Sequence, residues 1–239
     1  MKVCLIGYGK MGEAIEKELL ERSHQICGRI TGSNRESLPD YLKEADLAIE
    51  FTSPDAAIAN IIQCFKQGVP VICGTTGWNK NWDEVEKQAK ELNGSLIYAS
   101  NFSVGVQIFF ALNRKLASMM SNQNEFTCSL KEIHHTHKKD APSGTALSLA
   151  LDIIENHTAY DQWSLADPLI EKTLHINSER KDPVVGTHIV SYTSNIDQIE
   201  IKHEAFSRRG FALGAVIAAE WLYGKQGIFT MKDVLNLED

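Results

Sequence analysis

The first hundred residues alternate short apolar runs with longer amphipathic ones. KVCLI (2–6), HQICGRITG (24–32), DLAIEF (46–51), VPVICG (69–74) and SLIYAS (95–100) read as strands, and the most apolar of them suit burial on both faces. Between the first two lies EAIEKELLER (13–22), with Ala14, Ile15, Leu19 and Leu20 at helical spacing. TSPDAAIANIIQCFKQG (52–68) and the stretch 80–93 also read as helices, and Pro54 stands early in the former, where its missing N–H costs nothing. Strands alternating with helices predict a parallel, doubly wound sheet of Rossmann-like type.

After residue 102 the rhythm changes. VGVQIFFALNRKLASMM (104–120) predicts a long helix, and FTCSLKEIHH (126–135) a strand with Phe126, Cys128 and Leu130 facing one way. ALSLALDII (146–154) predicts another helix. HIVSYTS (188–194) and QIEIKHEAF (198–206) alternate around an SNID hairpin turn. The segment 157–187 is polar and poorly patterned and is assigned to loops. RGFALGAVIAAEWLYG (209–224) is a small-residue helix expected to pack back on the first sheet. The fold class is therefore α/β: a dinucleotide-type domain of residues 1–102 and 208–239, and an α+β domain of 103–207 with a mixed sheet.

Length and charge narrow the function. A chain of 239 residues can build two cores, and 43% hydrophobic content marks a globular protein. A net charge of -7 opposes general nucleic-acid binding, which needs a basic face. The five cysteines, Cys4, Cys27, Cys64, Cys73 and Cys128, are scattered and include no CxxC pair, so they read as reduced thiols rather than zinc ligands. No run approaches a membrane span and no leader pattern precedes KVCLI, so a cytoplasmic setting is expected.

Two stretches carry chemistry. GYGKMG (7–12) stands between a strand and a helix, which turns a weak GxGxxG pattern into a dinucleotide signal. Gly7 allows the turn, Gly9 lets a pyrophosphate approach the backbone, and Gly12 lets helix and strand pack. The second strand ends at Thr31-Gly32-Ser33-Asn34-Arg35, without the acid that usually holds an adenosine ribose in NAD sites. NADPH is expected to be modestly preferred over NADH, with Ser33, Asn34 and Arg35 as candidate 2′-phosphate ligands. Phe51 to Ser53, Gly74 to Gly77 and Ala99 to Phe102 share the carboxyl edge of the sheet, where ligands of such folds lie.

The other stretch is EIHHTHKKDAPSGTA (132–146). His134, His135 and His137 could serve proton transfer, anion binding or a metal, since His-x-His places two rings on one strand face. Ser143-Gly144-Thr145 opens a helix after Pro142 and offers backbone N–H groups to an anion. Lys139 reads as solvated, Asp140 as a turn cap, Ser143 as an N-cap, His203 and Arg208 as structural, and Trp78, Trp163 and Trp221 as packing.

With GYGKMG, FTSP, GTTG, ASNFSVGV, HHTHKKDAPSGTA, VVGTH, IKHEAFSR and FALGAVIAAEWL on one chain, the sequence resembles the dihydrodipicolinate reductase family of diaminopimelate and lysine synthesis. The resemblance runs nearly end to end. It implies hydride transfer from NADPH or NADH to a small cyclic dicarboxylate, with no metal, in a homotetramer built through the second domain's sheet that closes its domains on substrate. By the same resemblance His134 is the catalytic acid/base and Lys138 a second proton donor. His135, Gly144 and Thr145 hold substrate carboxylates. Gly7, Tyr8, Gly9, Lys10, Met11, Gly74, Thr75, Thr76, Ala99, Ser100, Asn101 and Phe102 contact the cofactor. The chain departs from family patterns in a glycine loop one residue shorter than GAGGRMG, in Thr31 where some relatives carry an acid, and in Arg180-Lys181-Asp182 with VGTH in place of Arg-Gly-Gly with VGEH. The alternatives are another two-domain nicotinamide dehydrogenase of amino-acid metabolism, which leaves the Pro-Ser-Gly-Thr turn unexplained, and a non-catalytic NADPH sensor, which would have no need of His134 and Lys138.

Overall fold

The structure is a computed structural model and describes residues 1–166 and 171–237. The chain divides into two compact units, one of Met1–Val104 with Arg209–Asn236 and one centred on Gly105–Arg208.

The first unit holds a six-stranded sheet: β1 (Lys2–Ile6), β2 (Gln25–Ile30), β3 (Leu47–Glu50), β4 (Val71–Cys73), β5 (Ser95–Tyr98) and a late strand at Gly227–Phe229. All pairings are parallel, and the order runs late strand, β5, β4, β3, β1, β2. Because β1 and β3 are buried at nearly every position, alternate side chains feed two cores. Val3, Leu5, Leu47 and Ile49 pack on one face, whereas Cys4, Ile6 and Ala48 pack on the other. Helices α1 (Lys10–Glu21) and Arg209–Leu222 serve the first face; α2 (Leu38–Leu42), α3 (Pro54–Lys66) and α4 (Trp82–Leu92) serve the second. Each fully buried Leu or Ile contributes roughly 1.5–3 kcal/mol, so this double-sided burial is what holds the unit together. The small-residue pattern of 209–222 has a concrete cause: a Cβ on Gly214 would stand 1.8 Å from the Phe102 carbonyl oxygen. The late strand and a short helix at Met231–Leu235 extend the unit beyond what periodicity predicts.

The second unit begins with α5 (Val104–Met120), then β6 (Thr127–His134), α6 (Gly144–Asn156), β7 (Gln162–Ser164), β8 (Thr173–Arg180), β9 (Gly186–Thr193) and β10 (Gln198–Ala205). With these named, the remaining elements in chain order are α7 (Arg209–Leu222), β11 (Gly227–Phe229) and α8 (Met231–Leu235). The second sheet is mixed, in the order β10-β9-β6-β8-β7. Helices α5 and α6 cover one face of it with Val106, Phe109, Leu149 and Ile153 against Leu130, Leu174, Ile176 and Val190. The loop assignment for 157–187 is corrected here, because β7, β8 and the start of β9 lie within it; residues 167–170 of that span lie outside the described residues. Only Leu174 and Ile176 carry β8's apolar alternation. Its next residues in that phase are Ser178 and Arg180, so an apolar pattern is not there to be read.

Trp78 packs as expected, 2% exposed with its indole N–H donating to the Thr75 carbonyl at 2.8 Å, whereas Trp163 is 37% exposed.

Candidate active site

In the first unit the chain reverses direction across the sheet at β1, whose neighbours are β2 and β3. A cavity of about 460 Å³ lies at that point, lined among others by Gly7, Tyr8, Gly9, Thr31, Thr52 and Asn60. The three glycines of GYGKMG have separate reasons. Gly7 has φ +95° and its Cβ would meet the Phe51 carbonyl oxygen at 1.9 Å; a Cβ on Gly12 would meet the Gly7 oxygen at 2.6 Å. Around Gly9, by contrast, no heavy atom lies within 4 Å of a built Cβ. Nothing in the fold requires glycine there, so the open space fits the close approach of a dinucleotide phosphate to the start of α1.

Tyr8 is fixed beside this cavity. Its hydroxyl donates to Glu16 at 2.6 Å, and Arg29 pairs with the same carboxylate. At the end of β2, Asn34 accepts from the Thr31 backbone N–H at 2.7 Å and donates to the Arg29 carbonyl at 2.9 Å. That side chain is therefore occupied in shaping the turn. Arg35 lines both this cavity and a neighbouring one of about 610 Å³ with Ser33, Asn60 and Gln63.

Of the other cofactor candidates, Lys10 is exposed and Met11 packs partly on the first core. Gly74, Thr75, Thr76, Ala99, Ser100, Asn101 and Phe102 follow β4 and β5 and are not among this cavity's lining residues. Thr75 is tied in, its hydroxyl accepting from the Thr52 backbone N–H at 2.7 Å. The ring of Phe102 is buried in the first core, which leaves its backbone for any ligand.

The second unit builds a polar cluster at the end of β6. Register places Glu132 opposite Ser178 on β8 and His188 on β9, with His134 opposite Arg180. Glu132 is fully buried. It accepts the Ser143 backbone N–H at 3.1 Å, the Ser178 hydroxyl, and the Arg180 guanidinium at 3.2–3.3 Å. Its Oε2 lies 3.1 Å from His134 Nδ1, outside hydrogen-bond alignment. Burial pushes this carboxyl up, but the His134, Ser143 and Ser178 contacts outweigh it and hold the group well below the usual carboxylate range.

Arg180 also donates to the carbonyls of Asp140 at 2.5 Å and Lys138 at 3.4 Å, so its role is to hold the 138–140 loop against β8. Asp182 does the same at the loop's start, accepting from the Thr136 backbone N–H at 3.2 Å and from its hydroxyl. Lys138 pairs with Asp140 at 2.9 Å. His135 is half-buried and His137 exposed, their rings 6.2 Å apart. Ser143 caps α6, its hydroxyl accepting from the Ala146 N–H at 3.1 Å and lying 3.1 Å from His188 Nε2. Gly144 is exposed at the first turn of α6, with no heavy atom within 4 Å of a built Cβ. Thr145 follows it, half-buried.

Glu132, His134 and His188 also offer three ligand-type atoms within 4.8 Å of one another. The same carboxylate is already paired with a cation, the Arg180 guanidinium, which sits on its other oxygen, Oε1, at 3.2 Å. Burial and the neighbouring His134 push His188 down to about 3. An unfolded histidine titrates near 6.5, so between that value and about 3 the unfolded chain takes up a proton that the fold refuses. Folding therefore weakens as pH falls through this window. Glu132 adds a further loss below about pH 4.3, the ordinary carboxyl value. The expected result is a melting temperature that falls steadily from pH 6.5 to 3, with a flatter fall for His188→Gln, as calorimetry across that range would measure.

Sequence reasoning missed Glu132, Ser178 and His188. The alternation that sends Cys128 and Leu130 inward sends Glu132 and His134 inward as well, so the first of these was available.

Residues 1–102 match the family model described as dihydrodipicolinate reductase, N-terminus, and residues 105–235 match its C-terminus counterpart. The chain belongs to the dihydrodipicolinate reductase family. It is 47% identical over 237 residues to the 4-hydroxy-tetrahydrodipicolinate reductase of Christiangramia forsetii, spanning 99% of this chain and 98% of that one. The Akkermansia muciniphila reductase of the same description is 34% identical, across 96% of this chain and 95% of its own. A dipicolinate-bound dihydrodipicolinate reductase from Paenisporosarcina sp. superposes with a TM-score of 0.75 at 19% identity, over 96% of this chain and 97% of that one. An amine dehydrogenase from Mycobacterium smegmatis shares the fold more distantly, with a TM-score of 0.58 at 12% identity over 100% of this chain and 96% of that one. The α/β class expected from the strand and helix rhythm is the class of this family. No helix among the described residues is long and apolar enough to cross a membrane.

Proposed function

We propose that this chain reduces 4-hydroxy-tetrahydrodipicolinate, or the ring formed from it by water loss, to tetrahydrodipicolinate in the diaminopimelate and lysine pathway. Family membership over the full chain is the observation that carries this reading. The dipicolinate named for the Paenisporosarcina relative supports a cyclic dicarboxylate. NAD(P)H, when bound, supplies the hydride. The residues of Met1–Val104 bind it, with the Gly9 opening for its phosphates, while the Gly105–Arg208 unit binds substrate.

His134 then supplies the proton that follows hydride addition, because a histidine can do so near neutral pH. Lys138, held by Asp140, adds positive charge where negative charge develops and serves as second donor. Gly144 and Thr145 at the start of α6 and His135 beside it hold the carboxylates. The amine dehydrogenase likeness leaves a different substrate as the second reading, but that likeness concerns the fold alone. A coupled assay with dihydrodipicolinate synthase, following NADPH and NADH oxidation, tests the activity. Folded protein that oxidises neither would overturn it.

NADPH is the preferred cofactor in this proposal, supported by Thr31 at the acid's usual position and by Arg35 in the cavity wall. Thr31→Glu is expected to shift the NADPH to NADH efficiency ratio toward NADH by about tenfold, equivalent to about 1.4 kcal/mol. Paired kcat/KM measurements check it, and an unchanged ratio would place selectivity elsewhere. A homotetramer and a cytoplasmic setting complete the proposal; the free thiols suit a reducing compartment, and native mass measurement tests the assembly.

A further inference from the structure

We propose that Glu132 is the positioning residue for His134, holding its proton on Nδ1 so that Nε2 is the atom that gives the proton to substrate. This rests on the reading of His134 as acid/base given above.

The geometry leaves Nδ1 one acceptor. Glu132 Oε2 is 3.1 Å away, and the buried Nδ1 has no aligned hydrogen-bond partner among the described residues. The carboxylate cannot swing elsewhere, because the Ser143 N–H at the start of α6 and the Ser178 hydroxyl and Arg180 guanidinium of β8 fix it from two elements. Held well below the usual carboxylate range, it is an anion near neutral pH, and an anion accepts but cannot donate. His188 does not displace His134 as its cationic partner. Its Nε2 is 3.9 Å from the carboxylate and bonds instead with the Ser143 hydroxyl, and the ring stays neutral above about pH 3.

The other nitrogen is kept accessible. A Cβ on residue 186 would stand 3.1 Å from His134 Nε2, and glycine removes it. A neutral imidazole can carry its proton on either nitrogen, and only the Nδ1–H form leaves Nε2 ready to accept. The step balances on that basis. Hydride from NAD(P)H brings the electron pair to the ring of the substrate, and the imidazolium Nε2–H bond breaks as its proton joins the atom left electron-rich. The ring that remains is neutral with Nδ1–H toward Glu132, and solvent returns the proton to Nε2.

The test combines spectroscopy with kinetics on the full chain. In ¹⁵N-histidine-labelled wild-type protein, long-range ¹H–¹⁵N spectra should show neutral His134 as the Nδ1–H tautomer. An Nε2–H ring would overturn the proposal, whether or not any variant folds. Glu132→Gln keeps an amide oxygen for Ser143 and Ser178 but removes the anion. It should give a mixed or reversed tautomer and a kcat lower by roughly 10²-fold, with KM little changed. Glu132→Asp should recover part of the turnover. Unchanged kcat in Glu132→Gln, or a loss confined to KM, would also overturn the proposal. The underlying reading fails separately: if His134→Gln keeps its turnover, His134 is not the acid/base. An inactive His134→Gln beside a fully active Glu132→Gln removes only the positioning role.

Discussion

His134→Gln should lower kcat by about 10²–10⁴-fold, the usual contribution of a positioned proton donor, while leaving NADPH affinity unchanged. The separation is expected because the two functions stand on different units. His134 ends β6, whereas the cavity proposed for the cofactor is walled by Gly7–Gly9, Thr31 and Thr52 of the first unit. Glutamine has neither a ring nitrogen of suitable pKa nor a protonated form near neutrality, so it can occupy the space without exchanging the proton. The change also leaves the Glu132 carboxylate its other partners, Arg180, the Ser178 hydroxyl and the Ser143 N–H, so the melting temperature should fall little. Steady-state turnover and a cofactor fluorescence titration on the same preparation measure both halves. An equal loss of turnover and cofactor affinity would remove the acid/base role and make His134 a structural residue. Lys138→Ala should cost less, since its ammonium already shares its charge with Asp140 at 2.9 Å.

What could be read from the chain follows how each element earns its burial. The parallel strands of the first unit are buried on both faces, and an unbroken apolar run such as KVCLI or LAIE has few other uses. Helix α7 was legible for a related reason, since its small residues are buried in the first core and Gly214 sits where any side chain would strike the Phe102 carbonyl. Strand β8 was illegible because the site takes over its pattern. Leu174 and Ile176 face the core of α5 and α6, but Ser178 and Arg180 face Glu132, and a strand that turns polar halfway along looks like a loop. The same cause hid half of the candidate site. His134 and Lys138 lie in the dense middle of a motif that draws attention, whereas Glu132 is the single acid that opens it and His188 arrives from a strand more than fifty residues later. Their association depends on strand register, which pairs Glu132 with Ser178 on one side and His188 on the other. Local spacing carries no record of register. Inward phase does, and following Cys128 and Leu130 two steps further reaches Glu132 and His134.

The glycine loop supplies the other large effect, because its three glycines should fail in different ways. Gly9→Val adds a side chain where no protein atom lies within 4 Å of the new Cβ, so the folded state has room for it. Thermal stability should therefore be nearly unchanged. The volume it takes is the volume a pyrophosphate needs against the first turn of α1, and cofactor affinity should drop by about 100-fold or more, near 2.7 kcal/mol. Gly12→Val meets the Gly7 carbonyl oxygen at 2.6 Å before any ligand is present. It must push α1 away from the end of β1, an overpacking that costs about 1–3 kcal/mol and lowers the melting temperature together with affinity. Gly7→Val combines a 1.9 Å clash with a φ of +95°, and soluble protein is not expected from it. Calorimetry and an NADPH titration on the Gly9 and Gly12 variants separate the cases. Should Gly9→Val bind NADPH as the wild type does, the open space beside Gly9 is not the phosphate site, and the cofactor must enter along the Thr75 and Asn101 loops instead.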